Sequence, residues 1–146
     1  MQKNSLKRSN WKTKYETIDS SSKFHEKIRS IFCNDPFFKN LSCYQEVPVA
    51  ALVPDYNKKN HHVDWYIDEL GIVLELHGEQ HYKLVNFGNK AFHEAVKDFN
   101  NIKYRDNMKK YSLIDNGYEY REISYKQQNK IDGKKLKKIL LEGVAK

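Results

Sequence analysis

Cysteine is scarce in this sequence, and long apolar runs are absent. Its 146 residues include two cysteines, Cys33 and Cys43, and no CxxC pair, so neither a cysteine-based zinc site nor a redox dithiol is expected. No apolar run approaches the ~20 residues that a membrane span needs. The first ten residues also lack the apolar stretch of a secretory signal. We therefore expect a cytoplasmic protein with no membrane partner.

Acidic residues are missing from one end of the chain and few at the other. Residues 1–14 carry a charge of +5 and residues 130–146 carry +4, whereas the whole chain carries +7, so the stretch between them is slightly acidic. Basic ends favour a polyanionic partner such as DNA, because lysine and arginine release the counterions of phosphates. Improved solubility is the alternative explanation. The residues that we expect to contact the DNA backbone are Lys3, Lys7, Arg8, Lys12, Lys14, Lys58, Lys59, Lys134, Lys135, Lys137 and Lys138.

The length allows one compact domain with a segment at each end. Residues 1–22 are polar and end in three serines, which predicts a basic, flexible arm with Trp11 and Tyr15 as candidate anchors. Residues 23–126 hold the apolar periodicities of a folded core. Residues 127–146 predict a basic amphipathic helix, which Asp132 would cap.

Local patterns predict the elements of the core. Apolar residues at helical spacing predict a first helix that ends near Phe32, with Ser21 or Ser22 as its N-cap. Alternating valines predict a strand over residues 43–53, in which Pro48 indicates an exposed edge.

The remaining elements are a hairpin, a long helix, a strand and the C-terminal helix. Gly71 is expected to close the hairpin turn, and Gly117 to end the long helix. The complete order is helix, three strands, helix, strand, helix. It predicts an α/β or α+β sheet domain.

The second strand of the hairpin contains the candidate metal-binding residues. Residues two apart in a strand share a face, so Glu75 and His77 should point away from the apolar residues between them. Asp64 on the partner strand adds a second carboxylate, and the carbonyl of Leu76 lies between the two acids. This set of oxygen ligands predicts a Mg²⁺ site in which Mn²⁺ could substitute.

Four further residues are candidates for the same site. His77 could orient or deprotonate a water, and Glu26 on the first helix could bind a second ion or hold a water. His81 could donate a proton to the leaving oxygen. Asp106 would either join the site or form a solvent-exposed pair with its neighbour Arg105.

Structural roles compete with this interpretation. Asp64 could be an outward-facing polar residue of a half-exposed strand. Glu75 could form a salt bridge with a lysine. Glu26 could lie on a solvated helix face.

Several segments together resemble the core of PD-(D/E)xK-type nucleases. They are VDWYI at residues 63–67, IVLELHGEQHY at 72–82, and NFGNKAF with YRDNMKKYSLIDNGYEYREISY further on. The pattern is most similar to small phage endonucleases related to very-short-patch repair endonucleases and to EDxHD homing endonucleases. The resemblance implies a restriction-endonuclease-like core, with a central mixed sheet flanked by helices.

The resemblance also implies roles for individual residues. Asp64 would be the metal-binding aspartate, Glu75 the acid of the (D/E)xK element, and His77 would stand where a lysine is usual. Glu26 would be the helical glutamate, while His81 and Asp106 would match the second histidine and final aspartate of the EDxHD pattern. The zinc ligands of some repair-enzyme relatives are absent, so no structural zinc is expected.

The leading hypothesis is therefore a Mg²⁺-dependent DNA endonuclease, phage-encoded and active in the host cytoplasm, which cleaves duplex or branched DNA. A non-catalytic DNA-binding or recombination accessory protein is the alternative, and an RNase of the same fold is a third. The sequence leaves open whether the protein is a homodimer, which would place two sites on opposing strands.

Overall fold

The structure is a computed structural model that describes residues 11–16, 22–84 and 91–143. Its centre is a five-stranded mixed sheet, which confirms the α/β class. The strands are β1 (Lys12–Thr13), β2 (Cys43–Pro48), β3 (His62–Ile67), β4 (Ile72–His77) and β5 (Glu119–Ser124). The helices are α1 (Lys23–Asn34), α2 (Pro36–Lys39), α3 (Val49–Leu52), α4 (Phe92–Asp115) and α5 (Gly133–Glu142).

The strands lie in the sheet in the order in which they occur along the chain. Each pair from β1 to β4 is antiparallel, and β5 is parallel to β4. The connection from β4 to β5 contains α4, because parallel neighbours need a crossover rather than a tight turn. Within the described ranges, none of the helices combines the length and the apolar character that crossing a membrane would require.

The sheet separates two apolar cores. Phe32 of α1 and Leu140 of α5 pack with Leu74 in the first core. Val73 packs with Leu113 of α4 in the second. Alternate residues of β4 therefore serve opposite faces, as the period of two in a strand requires. Full burial of each such side chain is worth about 1.5–3 kcal/mol.

Local signals position the helices and turns as predicted from the sequence. The hydroxyl of Ser22 accepts a hydrogen bond from the His25 N–H and caps α1, while Asp132 caps α5. Gly71 and Gly117 adopt left-handed backbone angles, with φ of 63° and 90°. Both angles favour glycine, which lacks the Cβ that would crowd the backbone.

Strand β2 is shorter than the predicted strand over residues 43–53. It ends at Pro48, and the chain then forms the single turn of α3. The alternating valines were misleading, because Val49 is buried as part of this helical turn and not as part of a strand. Glu46 also departs from a regular strand, with φ of 57°, and lies opposite Asp64 in the register of β2 with β3.

Part of the predicted N-terminal arm is folded. Residues 12 and 13 pair with β2, and Trp11 is buried against Tyr44 and Tyr66. Trp11 is thus the anchor, whereas Tyr15 is 66% exposed. Residues 1–10 and 17–21 lie outside the described residues.

Candidate active site

A cleft of about 450 Å³ opens where β3 and β4 approach the start of α1 and the middle of α4. It is lined mainly by polar and charged side chains, and it contains most of the predicted site residues. Its lining residues are Ser22, Phe24, His25, Asn60, His61, His62, Asp64, Glu75, Leu76, His77, Gly78, Gln80, His81, Arg105, Lys109, Tyr125 and Gln128.

Asp64 and Glu75 lie side by side on antiparallel strands. The pairing of Trp65 with Leu74 sets the register, which places the two acids opposite each other. The Asp64 N–H donates to Oε1 of Glu75 at 2.8 Å. The Leu76 N–H donates to Oδ2 of Asp64 at 2.7 Å. The structure therefore brings the two carboxylates together, as predicted, while the contact of Leu76 with Asp64 is made by its N–H and its carbonyl stays a predicted ligand.

Lys109 on α4 reaches the same pair of acids. Its Nζ donates to Oε2 of Glu75 at 2.7 Å and to the His62 carbonyl at 2.9 Å. The side chains of Lys109 and Glu75 are only 8% and 3% exposed. The salt bridge that the sequence analysis kept as a structural role for Glu75 is thus present.

Lys109 was missed by the sequence analysis, although a signal was available. Asp106, Lys109 and Leu113 are spaced three and four residues apart and form the buried stripe of α4. Charged residues on the apolar stripe of a helix need a partner, because unpaired buried charges are costly.

Burial and mutual repulsion move the pKa values of the two acids apart. Burial and the Asp64 charge raise the pKa of Glu75 to about 7, although Lys109 opposes the rise. Burial alone would also raise the pKa of Asp64, but hydrogen bonding to His25 and the charge of His25 hold it below its ordinary value. Asp64 is therefore ionised at neutral pH, and Lys109 favours the ionised form of Glu75. Shifts of this kind are frequent at functional sites and also occur in structural ion-pair networks.

His25 on α1 is a second site residue that the sequence analysis missed. Its Nε2 lies 3.2 Å from Oδ1 of Asp64, and its Nδ1 lies 2.7 Å from the Ser22 hydroxyl. Burial lowers the pKa of His25, but the hydrogen bond and charge of Asp64 outweigh burial, and the pKa is raised. No specific signal in the sequence pointed to His25, since a histidine in the first turn of a helix has many ordinary explanations.

Glu26 does not join the site. It was predicted to bind a second ion or hold a water, but it is exposed and is not among the residues that line the cleft. Successive residues of an α-helix are rotated by about 100°. Because α1 turns His25 toward Asp64, it turns Glu26 toward solvent.

His77, His81 and Asp106 form a second group beside the two acids. The rings of His77 and His81 stack with centroids 4.1 Å apart and planes within 5°. Nδ1 of His81 lies 2.7 Å from Oδ2 of Asp106, and Nδ1 of His77 lies 3.6 Å from Oε2 of Glu122. Asp106 therefore pairs with His81 and is not part of a solvent-exposed pair with Arg105.

Burial controls the charge of this second group. Burial, followed by the nearby His81, lowers the pKa of His77 to about 4, so His77 is neutral at pH 7. Burial would raise the pKa of Asp106, but hydrogen bonding to His81 and the charge of His81 hold it below its ordinary value.

The predicted DNA contacts differ in their exposure. Lys58 and Lys59 are exposed between α3 and β3, and Lys12 is exposed on β1. The four predicted lysines of α5 lie outside its buried apolar stripe, at positions Lys134, Lys135, Lys137 and Lys138. Lys3, Lys7 and Arg8 lie outside the described residues.

The prediction that Lys14 contacts DNA is wrong. It is 4% exposed, and its ammonium group donates to three backbone carbonyls, those of Phe38, Lys39 and Leu41, at 2.7, 2.8 and 3.1 Å. An ammonium group has three donors, so none is left for a phosphate. Lys14 instead fastens the N-terminal segment to the end of α2.

The cleft contains both acidic and basic groups. Asp64 and Glu75 supply oxygen ligands, while Lys109 and Arg105 supply positive charge. Compared with known proteins, the chain matches no family model, no curated protein and no solved structure. The geometry of the site is therefore the basis for assigning a function.

Proposed function

We propose that the protein is a Mg²⁺-dependent endonuclease that hydrolyses phosphodiester bonds in duplex or branched DNA. The observation that carries this proposal is the convergence of Asp64, Glu75 and Lys109 in one cleft. The mixed sheet, and the position of Asp106 on the helix before the last strand, agree with the resemblance to a restriction-endonuclease-like core.

The donor atoms fit Mg²⁺, which prefers oxygen ligands. Asp64, Glu75 and the Leu76 carbonyl would hold the ion. Each of the four carboxylate oxygens accepts one bond from the protein, and a carboxylate oxygen has room for a second partner. When bound, Mg²⁺ would polarise the phosphate and lower the pKa of a coordinated water.

The protein's own side chains would position the substrate. Lys109 uses two of its three N–H donors on Glu75 and His62, which leaves one for a phosphate oxygen or a water in the cleft. Arg105 lines the same cleft and would add a second cation. His25 holds the Asp64 carboxylate in place through its 3.2 Å contact.

A role for His77 in orienting or deprotonating a water stays a prediction. Its imidazole is neutral at pH 7, because its pKa is lowered to about 4, but a base of such low pKa is a weak proton acceptor. The role of His81 as a proton donor also stays a prediction, whereas its contact with Asp106 is present at 2.7 Å. The lysines of α5, together with Lys58 and Lys59, would contact the phosphate backbone without reading the bases.

A non-catalytic DNA-binding protein is the second candidate, and one observation favours it. Every carboxylate oxygen of Asp64 and Glu75 already has a donor within the protein. A closed network of this kind could serve only to fix the packing of α1 and α4 against the sheet.

Cleavage assays separate the two candidates. Supercoiled plasmid, branched DNA, single-stranded DNA and RNA are incubated with the full-length protein in Mg²⁺, Mn²⁺ or EDTA. We expect nicking or linearisation of DNA that requires the metal. A protein that retards DNA in a gel but leaves every substrate intact in both metals would support the non-catalytic candidate.

Isosteric variants test the two carboxylates. Asp64→Asn and Glu75→Gln should each lower the cleavage rate by about 10³-fold or more, because a bound metal contributes several kcal/mol to transition-state stabilisation. DNA affinity should change little. Asp115→Asn, at an exposed position at the end of α4, is the matched control and should cleave at the wild-type rate. Wild-type cleavage by both cleft variants would contradict the proposal.

A further inference from the structure

Three side chains next to the proposed Mg²⁺ site form a cluster of different chemistry. His77, His81 and Asp106 each offer a ligand atom, and these atoms lie within 4.8 Å of one another. Among residues 11–16, 22–84 and 91–143, this is the one group of three or more such side chains with that spacing. It joins the end of β4, the turn after β4 and the middle of α4.

Two buried atoms of this cluster have no hydrogen-bond partner among the residues that the structure describes. They are Nε2 of His77, in a residue that is 4% exposed, and Oδ1 of Asp106, in a residue that is 9% exposed. Buried polar atoms are normally satisfied, because leaving one unpaired costs about 1–3 kcal/mol. Both unsatisfied atoms are of types that coordinate metal ions.

The other polar atoms of the cluster hold these side chains in place. Oδ2 of Asp106 is occupied by Nδ1 of His81 at 2.7 Å, which leaves Oδ1 as the available oxygen. Nδ1 of His77 faces Oε2 of Glu122 at 3.6 Å, which leaves Nε2 as the available nitrogen. A carboxylate behind a ligating imidazole is a common outer partner in metal sites, where it orients the ring.

We propose that His77, His81 and Asp106 bind a borderline divalent transition-metal ion of the Zn²⁺ and Co²⁺ type. Two imidazoles and one carboxylate favour such ions, whereas Mg²⁺ and Ca²⁺ prefer ligand sets made of oxygen. Three protein ligands leave at least one coordination position for water. The site is distinct from the proposed Mg²⁺ site and does not depend on the nuclease proposal. It assigns His77 and His81 to metal binding in place of proton transfer.

Metal binding requires a small rearrangement of the two imidazoles. Their rings are parallel, so their nitrogen lone pairs do not converge on one point. His81 lies in a three-residue turn, Glu79–His81, and its side chain is 14% exposed, so it is the ring with more freedom to tilt. Loss of the parallel stack is therefore part of the expected binding event.

Cobalt absorption spectroscopy tests the proposal without DNA or catalysis. The full-length protein, without a histidine tag, is stripped of metal with EDTA, desalted and titrated with Co²⁺. We expect visible d–d bands that saturate at one Co²⁺ per chain and disappear when Zn²⁺ is added. Excess Mg²⁺ should leave the bands unchanged. Absence of any saturable spectrum would overturn the proposal.

Variants assign the binding site. Asp106→Asn and His81→Gln should each weaken Co²⁺ binding by more than about 100-fold, since removal of even an outer partner of a metal ligand costs about 10- to 100-fold. His93→Gln, at an exposed position on α4, is the matched histidine control and should bind normally. Asp64→Asn should also bind Co²⁺ normally. Binding that survives both cluster variants, or that is abolished in Asp64→Asn, would overturn the proposal.

A measurement on the wild-type protein guards against variants that do not fold. Two-dimensional NMR of the imidazole nitrogens should show that Zn²⁺ shifts the ring resonances of His77 and His81, while those of His93 stay in place. Unchanged His77 and His81 resonances at saturating Zn²⁺ would contradict the assignment. A protein that binds Co²⁺ but cleaves no DNA would refute only the nuclease proposal.

Discussion

At the scale of single residues, the buried carboxylate of Glu75 is paired with the ammonium group of Lys109. Glu75 is 2% exposed in strand β4, and Lys109 is the lysine in contact with its Oε2 at 2.7 Å. Removing one member of a buried ion pair leaves the other charge without compensation. The stability of the protein should therefore respond more strongly to replacement of Lys109 than to replacement of any exposed lysine.

We expect Lys109→Met to lower the free energy of unfolding by about 3–5 kcal/mol. Lys97→Met, at an exposed position on the same helix, should change it by less than about 0.5 kcal/mol. Equilibrium unfolding in urea measures both variants against the wild type, with EDTA present.

The double variant Glu75→Gln/Lys109→Met provides the internal check. Because it removes both charges, it should be more stable than Lys109→Met alone. If Lys109→Met unfolds at the wild-type urea concentration, the salt bridge does not stabilise the fold.

The sequence could predict only part of the site at this scale. Asp64, Glu75 and His77 followed from the alternation of residues along two strands, which is a local property. Lys109 contacts Glu75, which lies 34 positions earlier in the chain. His25 contacts Asp64, which lies much later in the chain. No spacing rule connects such pairs, because their proximity arises from how α1 and α4 pack on the sheet.

At the scale of elements, α5 combines a structural face with a basic face. Leu136, Ile139 and Leu140 are buried, while Lys134 and Lys138 lie one turn apart outside that stripe. Its start was predictable, because Asp132 and the apolar spacing are local signals, whereas its end at Glu142 was not predicted. The end of β2 was not predicted either, since alternating valines continue past Pro48 into α3.

The lysines of α5 should contribute to DNA affinity through counterion release. In Lys134→Ala/Lys138→Ala, the slope of log K against log salt concentration should become shallower by about 0.9 for each phosphate that the protein no longer neutralises. Fluorescence anisotropy of a labelled duplex across a NaCl series gives the slope. Lys39→Ala, an exposed position on α2, is the control. An unchanged slope in the double variant would exclude α5 from the DNA-binding surface.

At the scale of the whole molecule, the pair formed by His25 and Asp64 links α1 to the sheet. Its contribution to the stability of the folded protein depends on pH. The pKa of His25 is raised above 6.5, so its stabilising effect is complete below pH 6.5 and is lost as the pH rises through the folded-state pKa. The pKa of Asp64 is lowered below 3.8, so its effect is complete above that value and is lost at more acidic pH.

The contribution of this pair should therefore be greatest between about pH 4 and 6.5. Within that window we expect His25→Gln to be less stable than the wild type by about 1 kcal/mol, since the pair is partly exposed. The difference should shrink above the window. Urea unfolding at pH 5, 7 and 9 in EDTA measures it, with His93→Gln as the control. A difference that grows with pH would contradict an ion pair between His25 and Asp64.

The architecture was predictable as a class but not in detail. The order of helices and strands indicated an α/β sheet, because each element has its own apolar period. The two-residue strand β1 was not predicted, since its position depends on the burial of Trp11 and Lys14 rather than on a local pattern.

The irregular backbone of β2 has a consequence for how copies of the protein behave in concentrated solution. An edge strand with a regular backbone invites the addition of a strand from another molecule, which leads to aggregation. Beyond the short contact with β1, this strand carries the left-handed Glu46 and then Pro48, which lacks an N–H to donate. Both features oppose straight strand addition along this border of the sheet, so self-association through it is disfavoured.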